Sequence, residues 1–200
     1  MSSFVANSLI AASIYGTKVQ KTKGKTFNFF WLISLIVLAS FPDIDYVVPA
    51  LHSSANQGLR ITHSILFSLF CFTIAFIFLL LLKSRKNELK IYGLQAIYAS
   101  FSHLVLDLLV GVTPLPLLFP FNSKKIKLPF GILPSAGKID LTNSYLYRNL
   151  YLEMGVLLPL CLVLYLLNRR GINLVFRAIA LLLLFLCSGY YMHQCYLLPR

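Results

Sequence analysis

Acid is what this chain has least of: six Asp and Glu in 200 residues, against 18 Lys and Arg. Only 12% of residues are charged, about half the share in a soluble domain, and 58% are hydrophobic, which excludes a solvated globular surface. Intrinsic disorder is excluded as well, because its signature is low hydrophobicity. The four cysteines, Cys71, Cys161, Cys187 and Cys195, form no CxxC pair or zinc-ribbon spacing, so they read as small buried hydrophobes. There is no Gly-rich phosphate loop, GxSxG elbow or HExxH, which leaves nucleotide-driven and serine-hydrolase chemistry without support. The first 16 residues carry no Lys or Arg, hence no basic n-region of a secretory leader, and read as a short retained helix.

What is present is apolar length. Mean hydropathy is +0.77. Ile61–Leu82 and Ile91–Val112 are each 22 residues, enough to span a hydrocarbon core of about 30 Å. Leu150–Leu167 and Ile172–His193 form a C-terminal hairpin around Asn168-Arg169-Arg170-Gly171. Two shorter helices, Ser2–Gly16 and Phe27–Phe41, open the chain, the second stopping at Pro42; each is about 22 Å long, short of a full crossing. The expectation is an all-α polytopic membrane protein of five or six helices: two short N-terminal, two long central and a C-terminal hairpin. Residues 1–200 form a single membrane domain, with a motif-bearing region at 1–121, a non-helical loop at 113–147 and the hairpin at 148–200.

The net charge of +12 would point to nucleic acid in a soluble protein. Here the basic residues cluster beside apolar runs, which sets orientation and meets anionic headgroups, so lipids are the expected partners and nucleic acid is not. Lys18, Lys21, Lys23 and Lys25 fill the first turn; Lys83, Arg85, Lys86 and Lys90 fill the turn between the long spans; Arg169 and Arg170 fill the last. With alternating chain direction these turns share one face, expected to be cytoplasmic. Lys124, Lys125, Lys127, Lys138 and Arg148 on the other face weaken the bias.

The rare acids then converge. Asp43 and Asp45 lie in Phe41-Pro42-Asp43-Ile44-Asp45, where the second helix reaches the non-cytoplasmic side. His63 opens the next span on that side, in Arg60-Ile61-Thr62-His63-Ser64. His103 and Asp107 lie in the outward half of the following span, and their i, i+4 spacing puts both on one helix face. Half of all acids and half of all histidines thus reach one membrane level. A charged Asp107 among Leu and Val costs about 2.5–3.5 kcal/mol on insertion scales. A divalent cation, whose natural ligands are carboxylate and neutral imidazole, compensates.

Taken singly, each residue also has a simpler account. Asp-x-Asp after Pro can cap and end a helix; His63 with Thr62 and Ser64 can form a hydrogen-bonded first turn; His103 can be a satisfied core histidine; Asp107 can pair with an arginine, Arg60 being the one near its level. Taken together they favour a metal site. His52 reads as solvated, His193 as part of an interfacial aromatic belt, and Asp140 and Glu88 as ordinary loop charges. Glu153 either favours a helix dipole or completes the site, and Arg60 either snorkels or clamps a phosphate.

The ordered set Pro42-Asp43-Ile44-Asp45, Arg60-x-Thr62-His63-Ser64, Ser102-His103-Leu104-x-x-Asp107, then Gly111 and Leu117-Leu118-Phe119-Pro120-Phe121, resembles the bacterial membrane-bound metal-dependent hydrolases of the YdjM type, found in the inner membrane. The resemblance covers roughly Ser3 to Phe121, with a matching acid at Glu153. It implies that Asp43, Asp45, His63, His103 and Asp107 are metal ligands or their immediate partners. One position departs: the family's N-terminal His is Asn7 here, which offers only a carbonyl oxygen. More distantly, the His-x-x-x-Asp helix is similar to that of the all-helical zinc phospholipase C group, which implies phosphoester substrates.

The expected function is therefore a metal-dependent hydrolase acting on an ester or phosphoester, lipid or lipid-linked, at the membrane surface. Zinc is the expected metal and manganese the alternative, with activated water as nucleophile. In this scheme Asp45 bridges or acts as general base, Arg60 clamps the anion, and Asn7, Glu153 and Thr62 are further candidates. Rival readings are an ion- or proton-coupled transporter, since intramembrane Asp and His also mark transport paths, and a degenerate family member with a structural role.

Overall fold

The computed structural model describes residues 2–17, 24–46, 48, 51, 60–82, 85–135, 142–169 and 171–198. Lys18, Lys21, Lys23, His52, Lys83, Lys138, Asp140, Arg170 and much of the Pro42–Arg60 segment lie outside the described residues. Within them the chain is all-helical, with α1 (Phe4–Thr17), α2 (Lys25–Ser40), α3 (Ile65–Leu81), α4 (Lys86–Val110), α5 (Ser144–Asn168) and α6 (Leu174–Tyr196), and no strand beyond an isolated Leu115–Ile126 bridge.

The helix boundaries correct four expectations, each through local chemistry. The second α-helix ends at Ser40, just before Pro42 as expected, but the chain does not turn away there. Phe41–Tyr46 continues it as a 3₁₀ turn, making Lys25–Asp45 a 21-residue path long enough to cross a membrane. Proline has no N–H to give the α-helical carbonyl four residues back, so the α-helical ladder stops and the tighter turn takes over. The expected span Ile61–Leu82 is instead cut at Ser64, which is extended (φ −106°, ψ 155°) and whose hydroxyl accepts from Phe67 N at 3.2 Å. Ile61–His63 forms a separate 3₁₀ turn, and α3 is left with 17 residues, about 26 Å.

The next span starts earlier than expected, at Lys86, because Arg85 and Glu88 close a capping box there. Glu88 is thus a buried helix cap and not a loop charge. Gly111, at φ +63°, ends α4 in the left-handed conformation that favours glycine. In the C-terminal hairpin, Asn143 and Asn173 accept backbone N–H groups at the starts of α5 and α6. This moves the first hairpin helix into the segment expected to be loop. Along with Lys25–Asp45, the helices α4, α5 and α6 are long and apolar enough to cross a membrane.

Successive helices alternate in direction, and small residues bring α1, α2 and α4 together: Ala11, Ala39, Ala96 and Ala99 are fully buried beside Leu35, Trp31 and Tyr92. Such small residues let backbones approach where lipid offers no hydrophobic drive for association. A polar clasp locks the same three helices away from the histidines. Trp31 Nε1 donates to Gln95 Oε1 at 2.8 Å, and Gln95 Nε2 donates to Ile14 O and Tyr15 O at 3.3 and 3.2 Å. A second cluster, including Ala6, Leu106, Val110, Leu133, Val156 and Leu157, joins α1, α4, α5 and the loop at the other end. Cys71, Cys161 and Cys195 are buried as expected, whereas Cys187 is exposed on α6.

Candidate metal centre

The alternation gathers the start of α1, the end of α2, the start of α3, the end of α4 and the start of α5 at one end of the bundle. From these elements come His63, His103 and Asp107, all with no solvent exposure, and Asp43, whose side chain is 27% exposed. The two imidazoles meet edge-on, Nε2 to Nε2 at 3.1 Å. Asp43 Oδ1 lies 3.7 Å from His63 Nε2 and 3.6 Å from His103 Nε2; Asp107 Oδ2 lies 3.4 and 3.7 Å from the same two atoms.

The protonation pattern explains why these atoms face one another. His103 Nδ1 is 3.1 Å from the Ala39 carbonyl, which only accepts, so Nδ1 carries the proton and neutral His103 presents an Nε2 lone pair to the cluster. Thr62 Oγ1 sits 3.0 Å from His63 Nδ1, on the ring edge away from the cluster. Asp107 Oδ1 accepts from Ser2 N and Ser2 Oγ at 2.7 and 2.9 Å, while among the described residues its Oδ2 has no hydrogen-bond partner. Two imidazole nitrogens and two carboxylate oxygens therefore meet in a largely buried space, an arrangement that costs energy without a cation or proton among them.

Three of these atoms, Asp43 Oδ1, His63 Nε2 and His103 Nε2, fit a divalent metal. Donors at about 2.0–2.2 Å from a tetrahedral centre lie roughly 3.3–3.6 Å apart. The separations among Asp43, His63 and His103 are 3.1, 3.6 and 3.7 Å, and these three form a compact potential metal-binding group; Asp107 Oδ2 lies 3.4 and 3.7 Å from the two imidazole nitrogens but is not part of that group. Two imidazoles with two carboxylates are ordinary zinc ligands and are also compatible with manganese. Burial disfavours the charged form of His63, but the Asp107 and Asp43 carboxylates outweigh it and raise its pKa above 6.5.

The other candidates fall around the quartet. Arg60 grips Asp45 through two bonds, Nε to Oδ2 and a terminal nitrogen to Oδ1, both 2.7 Å, and reaches Asp43 Oδ1 at 3.3 Å. Asp45 is therefore engaged by Arg60, and its nearest imidazole atom is His63 Nδ1 at 3.8 Å, not the Nε2 side where the quartet meets. Glu153 is buried and accepts from Ser3 N at 3.1 Å, one residue from the Ser2 that holds Asp107. Asn7 is fully buried in α1, and among the described residues neither of its amide atoms has a hydrogen-bond partner. His193 lies exposed in the last turn of α6. Sequence reasoning did not find Ser2 or the Ala39 carbonyl: the first is 105 residues from its partner, and the second acts through backbone alone.

Fold and site together define a multi-pass helical membrane protein with a buried His₂Asp₂ cluster at one end of its bundle. A family model described as YdjM inner membrane protein matches residues 4–195, and the chain belongs to that family. The match takes in the C-terminal hairpin as well as the motif-bearing region. No curated protein and no solved structure matches the chain.

Proposed function

We propose that this protein is a membrane-embedded, metal-dependent hydrolase of esters or phosphoesters, with its site toward the non-cytoplasmic face. The observation that carries the reading is the meeting of His63 Nε2, His103 Nε2 and Asp43 Oδ1 at 3.1–3.7 Å from one another, with Asp107 Oδ2 at 3.4 and 3.7 Å from the same two nitrogens. A bound zinc or manganese ion supplies Lewis acidity, lowering the pKa of a water to about 7 and offsetting negative charge that develops on a substrate oxygen. The protein's own residues do the rest. The Ala39 carbonyl and Thr62 orient the two imidazoles, and Ser2 orients Asp107. Arg60 restrains Asp43 and Asp45 and places a positive charge beside the site that attracts an anionic substrate. Asp43, the one member of the quartet with solvent exposure, opens the site to water and metal ions. The sidedness follows from Lys25, Arg85, Lys86, Lys90 and Arg169 at the opposite helix ends.

Metal analysis of the detergent-purified protein tests the first half of this reading. Wild type should carry stoichiometric zinc or manganese, and His103→Ala should not. Release of nitrophenol from bis(p-nitrophenyl) phosphate, abolished by chelator and by His103→Ala, tests the second. Absence of metal from wild type after reconstitution with either ion would sink the proposal.

The transport reading gains one observation, a further line of buried polar residues on α4: Ser100, Gln95, Tyr92 and Glu88. Three of these are spent locally, and the hydroxyl of Tyr92 has no hydrogen-bond partner among the described residues. Ser100 bonds its own Ala96 carbonyl, Gln95 forms the clasp, Glu88 caps α4, and Leu35, Ala96, Ala99 and Leu79 pack the same region. The line supports a rigid bundle better than a path for ions.

A further inference from the structure

A groove of about 610 Å³ runs along the outside of α3, within the range of small-molecule sites. Its near end is formed by Thr62 and Ser64, the two neighbours of His63 in the chain. Thr62 touches the His63 ring directly, its Oγ1 3.0 Å from Nδ1, so the groove starts at the outer edge of a quartet member. From there it passes Leu66, Leu69 and Phe70 and reaches Thr73, with Phe119 and Pro120 of the loop forming part of the opposite wall. The loop is fastened to this helix by the bond from Ile65 N to Leu117 O at 3.0 Å. Ser64 to Thr73 covers about 14 Å along the helix axis at 1.5 Å per residue. The lining is overwhelmingly apolar, yet its two hydroxyl residues at the near end sit where the quartet begins.

Leu66, Leu69 and Phe70 are 46, 40 and 57% exposed on a helix whose every turn is apolar, so the groove opens toward the hydrocarbon of the bilayer and not toward water. An occupant entering from that side has to be a hydrocarbon chain. Its polar end would then lie beside Thr62 and Ser64, on the Nδ1 side of the His63 ring. We propose that this groove seats one acyl chain of a glycerophospholipid substrate, with the phosphoester drawn up to the His63 end. The chemistry of the headgroup rests on the hydrolase reading above; the seating of the chain does not.

The test uses the full-length protein in mixed micelles with a phosphatidic acid bearing a photoactivatable diazirine in one acyl chain. Crosslinks are mapped by mass spectrometry and competed with unlabelled dioleoyl or dihexanoyl phosphatidic acid. The expected result is saturable labelling of the Leu66–Thr73 stretch and of Phe119, competed by the long-chain lipid and not by the short one. Filling the groove with Leu66→Trp and Phe70→Trp should lower that labelling by roughly tenfold, the equivalent of displacing about two buried methylenes. Labelling of the lipid-facing Leu182–Leu186 stretch of α6 should not change in that variant, and an unchanged metal content certifies its fold. Groove labelling no more saturable than that of α6, or insensitive to filling, would overturn the proposal. Saturable groove labelling without hydrolysis of any phosphoester leaves the acyl seat standing and removes the hydrolase reading; hydrolysis without groove labelling does the reverse.

Discussion

Asp107→Asn separates a metal centre from a buried ion pair, because the two assign opposite signs to its effect on the metal-free protein. The side chain keeps its shape, and its remaining carbonyl oxygen can still accept from Ser2 N and Ser2 Oγ. What is lost is the negative charge, and with it an acceptor where Oδ2 lies 3.4 and 3.7 Å from the two imidazole nitrogens. If that charge exists to hold a cation, the metal-free wild type carries it as a burden of about 2.5–3.5 kcal/mol. At a pH above the raised pKa of His63, where its ring is neutral, the metal-free variant should then unfold at the same temperature as metal-free wild type or above it. Wild type with free zinc at about 1,000 times its dissociation constant gains about 4 kcal/mol, which for a chain of this length raises Tm by roughly 8–16 °C. The variant should lose most of that increment.

The measurement is intrinsic fluorescence against temperature in detergent, with and without zinc, alongside metal content by mass spectrometry. If Asp107 instead pairs with a protonated His63, the variant without metal is destabilised by about 3–5 kcal/mol and wild type does not respond to metal at all. Either that pattern, or a variant that keeps the full zinc increment, refutes the assignment of Asp107 as a ligand.

Arg60→Lys keeps the charge but loses the fork that holds both oxygens of Asp45, and it should weaken metal binding by about 10–100-fold as Asp43 loses its restraint; titration with a competing chelator reads this out. Gln95→Leu leaves the Trp31 indole N–H and the Ile14 and Tyr15 carbonyls without their clasp, and should cost about 1–3 kcal/mol per stranded buried group while leaving metal affinity unchanged. Loss of metal affinity in that variant would show that the clasp and the site are coupled. Because the pKa of His63 is raised, its ring holds a proton to higher pH than a free histidine, and metal must displace that proton. Zinc affinity should therefore fall as pH drops below the raised value, by up to about tenfold per unit for one displaced proton, as read by isothermal titration in buffered zinc between about pH 6 and 8.5; flat affinity over that window would contradict it.

The gathering of Asp43, His63, His103 and Asp107 was legible because each sits on the same end of an alternating bundle, and alternation follows from span length and charged turns. The i, i+4 pair on α4 is the clearest case, since helical geometry alone fixes it. The division of labour among the acids was not legible. Asp43 and Asp45 differ by two residues in the chain, and only the tight 3₁₀ turn decides that one faces the imidazole Nε2 atoms while the other is gripped by Arg60. The early break at Ser64 was hidden for the same reason: an apolar run does not reveal a single hydroxyl that caps a helix in its midst. Glu88 was misread because a capping box lies just ahead of the apolar pattern that defines the span.

His103 takes its orientation from a carbonyl at Ala39, which is a peptide group present whatever side chain stands there. Replacement of that side chain cannot delete the contact; it can only displace the helix that delivers it. Position 39 is fully buried in the seam of small residues, so drift there is limited by bulk and not by chemistry. A comparison of related chains would therefore register a preference for small size at this site and no polar requirement. The part of the candidate metal centre most resistant to point mutation is in this sense also the part least visible to it, and its weak point is any bulky replacement that pries α2 away from α4.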